Sequence, residues 1–417
     1  MNYKQVVLDQ KEELQRLNIK SLVPREAEKY WTIPTRLIRI ITGVRRSGKS
    51  TLALHHLLNS GFGYVNFDDE RLSGIKSNEL NDLLSAIYEV YGDVNCLFFD
   101  EIQNTENWSL FVNRLQRTGN TVVITGSNSK LLSTELATHL TGRYKTIELF
   151  PFSFREFLLA KSIGTTSGTT REKAIRKKAF DEYCQQGGFP EILAGEDAVL
   201  YARNLFFSII NRDILYRYKI HHTRAFKELA AYLVLQTGKE ISYNRLKNIF
   251  SLGSAHTARN YVDHLEEAYI IATVEKFSFK KQESLRYRKT YAIDIAFYRS
   301  LSPAVPVNKG FIYETLVFLE LLRRKTANGI ELFYYKGTRE VDFVVKKNQE
   351  LLNLIQVCHD LGETKTLNRE VNALLEASNA LKCEHLTIIN ENLDEERNVQ
   401  GKTIRFIPII NWLTITP

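Results

Sequence analysis

Residues 37–51 read LIRIITGVRRSGKST. The apolar run Leu37–Thr42 has strand character, and TLALHHLL, residues 51–58, has the amphipathic spacing of a helix. Between them, Gly43-Val44-Arg45-Arg46-Ser47-Gly48-Lys49-Ser50 satisfies G-x-x-x-x-G-K-[ST] at every fixed position. Each position answers a physical demand. Glycines let backbone N–H groups approach phosphate oxygens, a lysine places a point charge on the β/γ-phosphates, and a serine hydroxyl suits Mg²⁺. A helix starting near Lys49 turns its positive end to the anion. Strand, loop and helix in this order predict a nucleotide-phosphate cradle formed by Gly43, Arg45, Arg46, Ser47, Gly48, Lys49, Ser50 and Thr51.

Such a cradle needs an acid for the metal and another for water. NCLFFDE, residues 95–101, supplies both: the buried run Cys96–Phe99 ends in Asp100-Glu101, and ligands gather at the carboxyl ends of parallel strands. Asp100 is expected to hold Mg²⁺ and Glu101 to orient or deprotonate the attacking water. TVVITGSN, residues 121–128, ends in Ser127-Asn128, which either sense the γ-phosphate or merely form a turn. Arg143 is a candidate finger reaching a neighbouring subunit's phosphate, with Arg155 as a weaker one.

The surrounding chain is that of a multi-domain protein. Its 417 residues suggest about two to four domains. No apolar run approaches the roughly 18 residues of a membrane span, and the N-terminus lacks the apolar core of a secretion signal, so a cytoplasmic protein with no membrane partner is expected. The net charge of +8 favours an anionic partner. Cys96, Cys184, Cys358 and Cys383 lie too far apart for a CxxC metal site.

Strand-like runs at Leu37–Thr42, Tyr64–Phe67, Cys96–Phe99, Val122–Thr125 and Thr146–Phe150 predict a parallel α/β sheet in residues 1–150. Lys161–Glu172 reads as a loop, and helices follow to Leu235, broken by the turn Gly187–Pro190. Strands return after Tyr291. Expected boundaries are a core at 1–150, a helical lid at 151–200, a winged-helix segment at 201–289 and a second α/β domain at 290–417.

GVRRSGKST, VNFDDERL, LFFDEIQN, ITGSNSKLL and LTGRYKTIELFPFSFREF together resemble a large group of prokaryotic AAA+ ATPases, in which GGFPE, a helical segment and a C-terminal domain follow the ATPase. The resemblance covers nearly the whole chain. It implies an AAA+ fold, ATP and Mg²⁺ as cofactors, phosphate and metal roles for Lys49 and Ser50, and Walker B roles for Asp100 and Glu101. It also implies a sensor role for Ser127 or Asn128 and a finger role for Arg143, hence self-association.

Two later segments suggest nucleic acid. Tyr243–Ile249 and a helix from Ser254 to Ala268, joined by a glycine turn, fit a helix-turn-helix. Ala258, Tyr261, Val262, Leu265 and Ala268 would face the core, leaving His256, Arg259 and Asn260 outward. The following hairpin carries Lys280, Lys281, Arg286, Arg288 and Lys289, a plausible phosphate-contacting wing, although Asp263 and Glu266-Glu267 oppose it. Downstream, Glu314, Asp342 and the strand LLNLIQVC resemble the PD-(D/E)xK nuclease pattern, with a possible second metal at Glu314, Asp342 and Gln356. Gln356 and Cys358 stand where that pattern has Glu and Lys, so cleavage is expected to be absent unless Lys336, Lys346 or Lys365 substitutes. The favoured reading is an ATP-hydrolysing protein acting on DNA. The alternative is a nucleotide switch, or a protein-interaction ATPase, without nucleic acid or nuclease activity.

Overall fold

The computed structural model describes residues 2–16, 22–31, 37–58, 60–127, 142–166, 168–279, 287–302 and 308–415. The contacts divide the chain into two units: Met1–Pro151 with Glu267–Tyr269, and Phe152–Glu266 with Ile270–Pro417.

The first unit contains helices α1 (Tyr3–Arg16) and α2 (Glu28–Trp31) and a sheet of β1 (Ile38–Gly43), β2 (Gly63–Asn66), β3 (Cys96–Asp100), β4 (Thr121–Gly126) and β5 (Tyr144–Leu149). Helix α3 (Lys49–Leu57) follows β1, α4 (Leu80–Tyr91) follows β2, and α5 (Trp108–Arg117) follows β3. The strand order is β2-β3-β4-β1-β5, and every pairing is parallel. The runs are continuously apolar because the sheet is buried on both faces. Ile38, Ile40, Leu97, Phe99, Val122 and Ile124 enter one core with α1, α4 and α5 residues. Their neighbours Ile41, Phe98 and Val123 enter the other, beneath α3. Period-two alternation thus divides each strand between two cores. The parallel α/β sheet that the strand-like runs predict is present, with α1 as an element the polar N-terminal sequence did not announce.

The second unit opens with α6 (Phe154–Ala160), α7 (Thr170–Gln186), α8 (Pro190–Leu193) and α9 (Ala198–Ser208), the last continuing as a π-helical stretch, Ile209–Tyr216. Then come α10 (Thr223–Leu235), β6 (Lys239–Ile241), α11 (Tyr243–Ile249), α12 (Ala255–Glu267), β7 (Ile271–Lys276), β8 (Arg288–Ala292) and α13 (Ile295–Leu301). The chain ends with α14 (Lys309–Asn328), β9 (Glu331–Lys336), β10 (Glu340–Lys347), β11 (Glu350–Val357), α15 (Thr364–Leu381), β12 (Leu386–Asn390), β13 (Glu395–Val399), β14 (Lys402–Pro408) and α16 (Ile409–Thr414).

One mixed sheet, β13-β14-β12-β11-β10-β9-β7-β8-β6, runs through this unit. The hairpin β7–β8 joins the later strands through parallel pairing of Glu275 with Phe333 and Lys276 with Tyr334. The boundaries expected at 200/201 and 289/290 therefore fall inside one compact unit. Backbone hydrogen bonding crosses the second of them, which hydrophobic patterning within single strands does not reveal. No helix among the described residues is long and apolar enough to cross a membrane.

GGFPE has a structural explanation. Gly187 ends α7 with φ of +73° and Gly188 donates its N–H to Asp294 Oδ2 at 3.0 Å. Phe189 is fully buried and Pro190 opens α8 at a position where a missing N–H costs nothing. Asp294 also caps α13 by accepting from Ala296 N–H at 2.7 Å. A Cβ on Gly187 would stand 1.8 Å from Asp294 Oδ1. Gly187→Ala is therefore expected to destabilise the second unit by about 2–4 kcal/mol, combining left-handed strain with a clash, measurable by denaturant unfolding.

Candidate functional site

The site lies at the carboxyl ends of β1 and β3. Gly43 closes β1 with φ of +138°, and a Cβ there would fall 2.0 Å from Leu149 O, so only glycine lets β1 pair with β5 and turn into the loop. Helix α3 begins at Gly48 with no side-chain cap, leaving its first N–H groups for a ligand. Ser47 Oγ is buried without a hydrogen-bond partner. Lys49 is 4 % exposed, its Nζ donating to Val44 O at 3.1 Å and lying 3.9 Å from Glu101 Oε1.

Across the loop, Ser50 Oγ donates to Asp100 Oδ1 at 2.8 Å. Thr125 also donates to Asp100, and Tyr64 OH donates to its Oδ2 at 3.4 Å. Glu101 takes a left-handed backbone (φ +51°), and its N–H is received by Thr125 Oγ1 at 3.0 Å. Gln103 and Ser127 hold its carboxylate at 2.5 and 3.2 Å. Ser127 thus touches the second acid directly. Asn128 lies outside the described residues.

The two acids behave oppositely. Burial and the adjacent Glu101 charge push Asp100 up to about 6, against the hydrogen bonds of Thr125 and Ser50. Burial acts upward on Glu101 too, but Lys49, Gln103, Arg45 and Ser127 hold it below its usual range. Glu101 is therefore ionised at neutral pH, whereas Asp100 is poised for a cation to stabilise its charge.

Arg45 pairs with Asp68 at 3.5 Å, Arg46 takes φ of +66° in the loop, and Thr51 is exposed on the first turn of α3. Arg143 is exposed and donates to Asn113 Oδ1 at 3.1 Å, within its own chain. Arg155 belongs to α6 of the second unit. Two contributors went unrecognised in the sequence. Tyr64 reaches Asp100 from β2, and Arg25, just before α2, donates to Ser47 O at 2.7 Å and Phe150 O at 2.6 Å. Both act over long sequence separations without a spacing signature.

Ala258, Tyr261, Val262, Leu265 and Ala268 are buried as their spacing predicts. His256 and Arg259 are exposed and Asn260 half-buried, with Arg259 4.0 Å from Asp263. The basic hairpin needs correction. Arg288 is drawn inward between Glu266 (3.5 Å) and Glu275 (3.2 Å), and Lys289 is 2 % exposed. Neither is placed to meet a phosphate. Lys280, Lys281 and Arg286 lie outside the described residues.

The acids of the expected nuclease-like pattern enclose a lysine, Lys289. Its Nζ lies 2.7 Å from Glu340 Oε1, 3.1 Å from Glu314 Oε1 and 3.5 Å from Asp342 Oδ1. Tyr291 OH donates to Glu314 Oε1 at 2.8 Å. Lys336 and Lys346, each considered for this role, pair with Glu240 and Glu331 instead, and Lys365 is exposed. Burial opposes the Lys289 charge, but Tyr291, Glu314, Asp342 and Glu340 hold it protonated, while burial and Glu314 raise Asp342. Glu314, Asp342 and Gln356 do converge on one cavity of about 510 Å³. However, Asp342 Oδ2 accepts from Val357 N–H, Gln356 Oε1 accepts from Asp342 N–H, and Gln356 Nε2 donates to Glu370. Those donor atoms are already engaged within the protein, and the cluster holds an ammonium as its cation.

The fold and the Lys49–Ser50–Asp100–Glu101 constellation define a P-loop nucleoside-triphosphatase site. Comparison agrees. A family model described as an AAA domain matches residues 35–158, and two described as domains of unknown function (DUF8612 and DUF4143) match residues 177–307 and 309–412. An uncharacterized protein of Methanocaldococcus jannaschii is 38 % identical over 395 residues, covering 90 % of this chain and 88 % of its own. One of Haemophilus influenzae is 29 % identical over 396 residues, covering 91 % and 94 %. Among solved structures, a Walker-type ATPase of Pyrococcus abyssi aligns with 68 % of this chain and 96 % of its own at 13 % identity and a TM-score of 0.44. A signal-transduction ATPase with a tetratricopeptide repeat sensor from Pyrococcus horikoshii aligns with 73 % and 50 % at 16 % identity and a TM-score of 0.27. The chain belongs to the same family as the M. jannaschii protein, and its residues 35–158 match the AAA domain.

The raised Asp100 carries a stability signature. Below its ordinary value of 3.8 the acid is neutral in both folded and unfolded chains; above about 6 it is ionised in both, and burial opposes the fold. Asp100→Asn should stabilise the nucleotide-free first unit by about 3 kcal/mol at pH 8, the gain vanishing on acidification through this window, as followed by denaturant unfolding against pH.

Proposed function

We propose that this ATPase is Mg²⁺-dependent and acts on DNA through a winged-helix segment of its second unit. The Ser50–Asp100 contact of 2.8 Å, formed between the loop after β1 and the end of β3, is the observation that carries the catalytic part. A hydroxyl and a carboxylate converging beside an uncapped helix start and an unpartnered Ser47 Oγ are a donor set suited to a magnesium-bound triphosphate. Ser50 and Asp100 would hold the magnesium, which neutralises charge on the transferring phosphoryl group when bound. Lys49, kept by burial on a short tether, places its ammonium against phosphate oxygens. Glu101, ionised and fixed by Gln103 and Ser127, orients the attacking water and receives its proton. Ser127 couples the end of β4 to Glu101, which suits a sensor. Arg143, exposed beside the β5 edge, is read as a finger working on a neighbouring copy.

For DNA, support comes from the order α10–β6–α11–α12–β7–β8, that of a winged helix, together with the exposed His256 and Arg259 and the half-buried Asn260 on α12. The net charge of +8 adds a general attraction to polyanions. The cavity around Glu314 and Asp342 is read as nuclease-like in descent and charge-compensated in use. Lys289 occupies the cationic role, and no cleavage step is assigned.

Lys49→Ala should abolish ATP turnover, whereas Glu101→Gln should retain bound ATP; normal hydrolysis by the lysine variant would refute the site. Arg143→Ala should lower turnover by about 10³-fold, with loss of nucleotide-dependent self-association in light scattering. DNA binding should weaken steeply with salt, and Arg259→Ala should flatten that slope by about one. Salt-insensitive binding, or none, favours a nucleotide switch. Metal-dependent DNA cleavage that disappears in Asp342→Ala would overturn the reading of the acidic cavity.

A further inference from the structure

Outside the ATP site, one group of side chains has the composition of a transition-metal centre. Glu28 of α2 and the adjacent His55 and His56 in the last turn of α3 bring one ligand atom each to within 4.8 Å of one another. His55 Nδ1 lies 3.8 Å from Glu28 Oε1, too far for a hydrogen bond and near the roughly 3.4 Å edge of a tetrahedral site with bonds of about 2.1 Å. Among the described residues, no other group of three histidines, cysteines or carboxylates meets this spacing. Spacing along the chain does not reveal it, because Glu28 is separated from the histidines by β1 and the whole phosphate loop.

We propose that Glu28, His55 and His56 bind a divalent transition ion of the Zn²⁺ or Co²⁺ type, leaving one coordination position open. Imidazole nitrogens and a carboxylate suit these borderline ions better than Mg²⁺, which prefers an all-oxygen octahedron. Three features of the surroundings fit. His56 Nε2 is buried without a hydrogen-bond partner, a polar nitrogen lacking compensation in the protein. Trp31 stacks on the His56 ring at 4.8 Å and 13°, fixing its plane. The histidines stand at the carboxyl end of α3, where the helix dipole favours a cation.

The site would join two pieces that already meet at the nucleotide loop. Arg25 donates its backbone N–H to Glu28 Oε1 at 3.0 Å, orienting the carboxylate as a ligand is commonly oriented. The same residue's guanidinium holds Ser47 O and Phe150 O. A metal linking α2 to α3 would lock this clamp against the helix whose start forms the phosphate cradle. Occupancy is then expected to tighten ATP binding several-fold without entering the chemistry.

The test is Co²⁺ titration of chelator-treated protein in saturating Mg²⁺, read as ligand-field absorption in the visible, with Zn²⁺ competition. A stoichiometric tetrahedral band displaced by Zn²⁺ is expected. Glu28→Gln and His55→Gln should each weaken Co²⁺ binding at least about tenfold, since even outer-shell losses commonly cost that much. Both should keep wild-type unfolding curves and wild-type Mg²⁺-supported hydrolysis in buffer freed of transition metals. The absence of a band, or a band that survives both substitutions, overturns the assignment. Loss of ATP hydrolysis in Lys49→Ala bears only on the catalytic site, so the two readings fail separately.

Discussion

Ser50 Oγ resting on Asp100 Oδ1 is the contact around which the first unit is organised. It can form only if β1 and β3 end at the same level of a parallel sheet with β4 between them, as the strand order dictates. Everything costly about the site follows from placing Asp100, Glu101 and Lys49 where water is scarce. Asp100 alone has Ser50, Thr125 and Tyr64 directed at it, yet burial still raises its pKa to about 6. The fold stores an unfavourable carboxylate that a cation can relieve, so its discomfort without ligand becomes affinity with one.

The second unit treats buried charge in another way. There the acids of α14 and β10 surround Lys289 of β8, and the cluster supplies its own countercharge. A buried pair of this kind contributes little net stability, but removing one partner costs about 3–5 kcal/mol. The contrast separates the sites chemically. One set of acids gathers around a loop shaped for a nucleotide's phosphates, the other around a resident ammonium. Arg288, one residue earlier on β8 and held by Glu266 and Glu275, is a second basic residue drawn inward from the expected wing.

The sequence disclosed what is local. The phosphate cradle was legible because one loop contains its glycines, lysine and serine at fixed spacing, and Asp100 because an apolar strand announces its own carboxyl end. The inward face of α12 followed from helical periodicity, which a single element suffices to determine. Long-range relations were not legible. Lys289 lies 53 positions from Asp342, and nothing about its neighbours in sequence marks it as that acid's partner. Arg25 and Tyr64 escaped for the same reason. β13, Glu395–Val399, is polar and lies at the sheet edge, so it lacks the alternation that exposes a half-buried strand. β6 has only three residues, too few to show a period.

The parallel pairing of β7 with β9 has a bearing on how such chains diversify. The segments matched by the second and third family models share a sheet, and a lysine of one compensates acids of the other. They are not interchangeable cassettes. A transplanted carboxyl-terminal segment would arrive with a raw β9 edge and uncompensated carboxylates, so a swap of that segment alone is expected to cost stability.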